Sequence, residues 1–261
     1  MRRLVFVLSV CLFLLAGYAS AQVKDSDLKT YLAGVTHRGR ALYAYDQAAW
    51  HGTDAIFALQ PDTSGLTHYI CNKTSSGWHV TFLKWNEAHD KLLVAYQANE
   101  VKPGKYEARK IDPPTEASSD LASMERALVL ALADFPRPDR PYNTAILPGP
   151  DGNFYVYLYP GQTNAKVWPL GGDVRYTVSS DGRHIVEKRQ LHKDILDTEN
   201  KTGAAAVGGY HTHVLTDVPE DTDVLYVLTR QPSVPEYVGA GKRVFEVYTD
   251  GTITLTKRKT E

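Results

Sequence analysis

The chain has 261 residues, with 29 basic and 30 acidic side chains and a formal net charge of −1. That balance, with no basic run beyond Lys257-Arg258-Lys259, excludes the clustered positive footprint of a nucleic-acid binder. A chain of this length buries most of its unfolded surface and needs no disulfide staples.

The first element in chain order is a leader. Arg2 and Arg3 precede an apolar run from Leu4 to Leu15, and Ala19-Ser20-Ala21 supplies small residues at a cleavage position before Gln22. The run is shorter than the roughly 20 residues that span a bilayer. The expectation is therefore a signal peptide over Met1 to Ala21 and a periplasmic or secreted mature chain starting at Gln22, without a membrane anchor. Cys11 leaves with the leader, so Cys71 has no partner for a disulfide. A lone cysteine in the run Thr67-Tyr69-Cys71 reads as a small buried hydrophobe.

The mature part opens with a helix pattern over Arg40 to Leu59, in which Ala41, Tyr45, Ala48, Gly52, Ile56 and Leu59 share one face before Pro61. Leu66 to Asn72, Gly77 to Lys84 and Lys91 to Ala98 read as an antiparallel meander of three strands. Pro103, Gly104, Pro113 and Pro114 make Lys102 to Ser118 the candidate linker. It divides an N-terminal unit, residues 22–112, from a C-terminal one, residues 113–261. A second helix is expected from Ser119, its N-cap, with Leu121, Met124, Leu128, Leu132 and Phe135 on one stripe and Pro136 after it. Three Asp-Gly pairs, at Asp151, Asp181 and Asp250, each lie between alternating runs and predict hairpin turns. In Asn153 to Tyr159 the tyrosines 155, 157 and 159 share one face, which offers either a peptide- or glycan-binding stripe or a surface covered by a helix. The fold class is α+β: two main helices on antiparallel sheets, with a hairpin-rich C-terminal half.

Chemistry concentrates at Tyr210-His211-Thr212-His213, followed by Asp217, Glu220, Asp221 and Asp223. Residues two apart on a strand point to one face with Cα atoms roughly 6.6 Å apart. Two imidazoles so placed can converge on one ion, and a carboxylate from the next turn can complete three ligands with an open fourth position. Asp223 is the expected carboxylate and Asp217 the next. Against this stands a simpler role, in which one histidine bonds a carbonyl and the other an acid to hold the strand end.

The order helix, hairpin, further strands, His-x-His and then an acidic residue opening the next element resembles the JAMM (MPN+) metallopeptidases, especially the JAMM-like domains of bacterial toxins. It covers about Ser119 to Thr256. The resemblance implies zinc held by His211, His213 and Asp223, and a zinc-dependent peptidase or amidase of the cell envelope. The sequence departs from the family pattern at Val214, at Glu220 in place of a serine, and in having no glutamate from Asp134 to Val186 where the catalytic base belongs. No catalytic residue is assigned, and the departures favour a non-catalytic binding or scaffold role. His51 and Asp54, three apart on the first helix, are expected as a buried polar pair beside a core Trp50. His192, after the charged run Glu187-Lys188-Arg189, is expected at the end of a solvated hairpin arm.

Overall fold

The computed structural model describes residues 23–136, 139–199 and 207–258, and the expected leader lies outside them. The first helix, α1 (Asp25–Phe57), begins well before Arg40. Leu28, Leu32, Val35, Gly39 and Leu42 continue the apolar face in steps of three and four, and Asp25 and Asp27 in the first turn complement the helix dipole. Four strands follow, β1 (Leu66–Thr74), β2 (Gly77–Trp85), β3 (Leu92–Lys102) and β4 (Lys105–Glu116), paired in that order.

The expected linker is thus a strand. Gly104 takes a positive φ of 70° in the turn after Pro103, as the third position of a tight turn requires. Pro113 and Pro114 fall where the β3–β4 register shifts, between Val94 and Tyr96, on a strand at the end of the sheet order. Prolines are tolerated at bulges and edges because no ladder donor is lost there.

Helix α2 (Ser119–Asp134) is capped one residue earlier than predicted, by Ser118, whose hydroxyl accepts from the Leu121 amide at 3.3 Å. Next come β5 (Tyr142–Pro148), β6 (Phe154–Pro160), β7 (Val167–Gly171), β8 (Val174–Val178), β9 (Ile185–Gln190) and β10 (Ile195–Glu199). They form the antiparallel sheet β5-β6-β8-β9 and the pair β7-β10. The chain ends in β11 (Gly209–His213), α3 (Asp221–Thr229), β12 (Glu236–Ala240), β13 (Arg243–Val247) and β14 (Ile253–Arg258). Strands β11 and β12 are parallel with α3 as their crossover, and β12-β13-β14 is an antiparallel meander. The fold is α+β, and all three Asp-Gly pairs lie between antiparallel partners; each glycine takes a positive φ (77°, 74° and 82°), but of the three aspartates only Asp151 does, at 54°.

The core does not divide at residue 112. One apolar cluster joins Leu42, Tyr45, Cys71 and Val80 to Tyr157, Tyr159, Leu191 and Leu225. The opposite face of β6, Val156 and Leu158, packs with Leu128 and Ala131 of α2. The tyrosine face of β6 is therefore covered: Tyr157 and Tyr159 are buried in the cluster that contains α1. Cys71 is buried as expected, and burial pushes its thiol well above the usual range. Trp50 departs from expectation. It is 57% exposed and stacked on His51 with ring centroids 4.7 Å apart, while Asp54 is exposed.

A buried carboxylate ties β1 to α2. Glu125 is 2% exposed, and its Oε1 lies 2.8 Å from His68 Nδ1. That hydrogen bond holds the imidazole above its ordinary value of 6.5. A raised histidine contributes stability below its unfolded pKa and loses it as pH rises through the folded one. The stability gap between the native protein and His68→Gln should accordingly narrow as pH is raised from 6.5 upward, measured by urea unfolding across a pH series. A gap that widens with pH would exclude a charged His68–Glu125 pair.

Candidate metal centre

Strand alternation turns His211 and His213 inward from β11 and leaves Tyr210, Thr212 and Val214 exposed. Asp223 reaches them from the first turn of α3. It is locked there by the helix cap: its Oδ2 accepts from the Glu220 amide at 2.7 Å while the Glu220 side chain caps the Asp223 amide. The position of α3 is set by a close crossing with α1. A Cβ on Gly39 would stand 2.4 Å from Val224 Cβ, so only glycine permits this approach.

A fourth group joins them that the sequence did not single out. The β9 arm is largely solvated as expected, but the chain turns inward beyond it, and Leu191 and His192 are buried. His192 Nε2 lies 2.8 Å from His213 Nε2 and 3.1 Å from Asp223 Oδ1. His211 Nε2 is 3.1 Å from His213 Nε2 and 3.0 Å from Asp223 Oδ1. All four donor atoms fall within 4.8 Å of one another, and the cluster can hold a metal ion. Asp217, the alternative carboxylate, is instead paired with Arg243 at 3.0 Å.

The outer ring nitrogens fix the protonation pattern. His213 Nδ1 lies 2.9 Å from the carbonyl oxygen of Val218, which can only accept, so the proton sits on Nδ1. His211 Nδ1 faces Glu236 Oε1 at 3.0 Å, and His192 Nδ1 faces Asp173 Oδ1 at 2.8 Å. The outer nitrogens thus do hold a carbonyl, at His213, and an acid, at His211, but that acid is Glu236 of β12 and not one of the loop that follows β11. The inner nitrogens are aimed at one another and at Asp223, and the repulsion between facing lone pairs is relieved only by a cation or by protons shared among them. A tetrahedral shell with bonds of about 2.0–2.1 Å separates its donors by roughly 3.3 Å. The four pairs above, at 2.8–3.1 Å, are each somewhat shorter than that spacing.

Electrostatics favour positive charge at this point. Burial alone would lower both His211 and His192, but Asp223 with Glu236 raises His211 to about 9, and Asp173 with Asp223 raises His192 well above its usual range. Burial would raise Asp223, yet the surrounding histidines hold it well below the usual carboxylate range. The remaining acids of the α3 turn are committed elsewhere. Asp221 accepts from Arg38, from Arg175 at 2.8 Å and from the Tyr157 hydroxyl at 2.8 Å. Glu220, pushed up to about 8 by burial, is paired with Arg189. Glu236 is held between His211 and Arg230. Neither of these glutamates is placed to serve as a free base.

Comparisons with protein-family models, with curated proteins and with solved structures give no match.

Proposed function

We propose that the chain is an exported binding or scaffold protein of the cell envelope, organised around one structural zinc ion held by His192, His211, His213 and Asp223. The observation that carries this reading is that the Nδ1 atoms all have outer partners while three Nε2 atoms and one carboxylate are aimed at a common point. Four protein donors fill a tetrahedral shell, and the four residues are at most 8% exposed. Structural zinc sites are closed in this way, whereas catalytic ones keep a position open. Imidazole and carboxylate donors in a tetrahedral set suit zinc among the common divalent ions.

A JAMM-like hydrolase is the second reading, favoured by the place of Asp223 at the first turn of the helix after the His-x-His strand. It requires His192 to leave the shell and a base from elsewhere in the chain. Native mass spectrometry of the exported protein tests both parts of the proposal at once. The expected species starts at Gln22 and carries one zinc ion, and a peptide library incubated with it stays intact. A mass that retains Met1 would remove the export part. A chain that never holds metal would remove the zinc centre, and zinc-dependent cleavage would transfer the site to the hydrolase reading.

A further inference from the structure

We propose that the cavity along the C-terminal part of α1 binds a protonated organic amine, held by Asp46 inside a box of aromatic rings. The inference rests on the binding-protein reading but not on the metal. The cavity measures about 940 Å³, within the range of small-molecule sites. Its wall is built by one face of α1, where Tyr43, Asp46, Trp50, Thr53 and Phe57 recur in steps of three and four. Tyr69 and Phe82, stacked at 5.6 Å, continue it on the meander, and Tyr159 and Trp168 complete the aromatic lining.

Charge selects the ligand. Among the described residues that line the cavity there is no lysine, arginine or histidine, while two carboxylates are present, Asp46 and Asp173. Asp173 is already committed to His192. Asp46 accepts from the Tyr159 hydroxyl at 2.8 Å, and no ion pair among the described residues involves it. Its burial raises its pKa against the hydrogen bonds of Tyr159 and Gln47, both neutral partners, the state of an acid that gains when a cation approaches. Aromatic faces attract ammonium groups through their quadrupole, and a carboxylate adds a charge-assisted hydrogen bond. Trp50 and Phe57, each more than half exposed, stand on the same helix face as lining residues and can meet the apolar part of such a ligand. A sugar would also stack on these rings, but it would leave the Asp46 charge uncompensated.

The protein as purified would be titrated with phenethylamine, with its neutral counterpart phenethyl alcohol, and with a chitotriose control, following heat and tryptophan fluorescence. Trp50 and Trp168 lie in the wall and report occupancy. The expected result is saturable amine binding at least about tenfold tighter than the alcohol. Asp46→Asn should weaken it by a similar factor, with an unchanged unfolding midpoint. Trp50→Ala, at an exposed position, should weaken it as well and serves if the Asp46 variant folds poorly. Equal binding of amine and alcohol, no saturation by the amine, tighter binding of the saccharide, or an Asp46→Asn variant that binds the amine normally would each overturn the proposal. Metal content measured on the same sample separates the two readings: a zinc-loaded protein that ignores the amine loses only this inference.

Discussion

Chelation of the zinc-loaded protein should lower its unfolding midpoint by roughly 5–10 °C. An ion present at a hundredfold its dissociation constant stabilises by about 2.7 kcal/mol, and one kcal/mol moves a domain of this size by about 2–4 °C. The size of the effect follows from what the ion ties together. His192 follows β9, His211 and His213 belong to β11, and Asp223 opens α3. Without a cation the inner nitrogens must share protons, and the cluster keeps only part of its cohesion. His192→Ala should therefore abolish zinc retention as fully as His211→Ala, each giving a protein whose midpoint no longer responds to chelator. Differential scanning calorimetry with and without chelator measures this. A native protein whose midpoint ignores chelator, or a His192→Ala variant that retains zinc at native stoichiometry, would exclude a four-ligand centre.

His192 is also where sequence reading ran out. Strand spacing alone brought His211 and His213 to one face, because the period of two is local, and an acid a few residues further on was an adequate guess for Asp223. His192 lies 21 positions from His213, on the far side of β10 in the sequence, and only the tertiary fold makes them neighbours. A weak signal was present: Leu191-His192 follows an exposed charged strand, and an apolar residue there marks the chain turning inward. The same limit explains α1. Its second half packs against the meander that follows it, and the pattern was legible. Its first half packs with α3 and the last sheet, in a cluster joining Leu28, Leu32 and Val35 to Val224 and Phe245. The hairpins were legible because Asp-Gly turns act over four residues. The supposed linker was misread because proline and glycine mark a break in a strand's ladder as readily as the end of a domain, and only β3 pairing distinguishes the two.

The largest loss from a single substitution outside the His192/His211/His213/Asp223 cluster is expected at Asp221→Ala, about 3–5 kcal/mol, the usual cost of breaking a buried ion pair from one side. Asp221 has no exposed surface. Its two oxygens satisfy Arg38, Arg175 and the Tyr157 hydroxyl together. Arg38 is partly exposed and can turn to water once its partner is gone. Arg175 cannot: it is 6% exposed, its Nε already lacks a partner, and its guanidinium lies 4.5 Å over the Tyr155 ring. Burial would lower its pKa, but Asp221 outweighs that and holds it above the usual range, so removal of the carboxylate leaves a charge it cannot shed. Asp221→Asn keeps an acceptor and the side-chain shape and should cost less. Replacing both partners, Asp221→Leu with Arg175→Met, should recover part of the loss, because the desolvated cation leaves with its anion. Urea unfolding should be run on chelated protein, since Asp221 sits two residues from Asp223 in the α3 turn and its loss would otherwise be confounded with weakened zinc binding. A cost below about 1 kcal/mol in the chelated state, the range of solvent-exposed pairs, would mean that water enters and solvates Arg175, and that the buried ion cluster does not anchor α3.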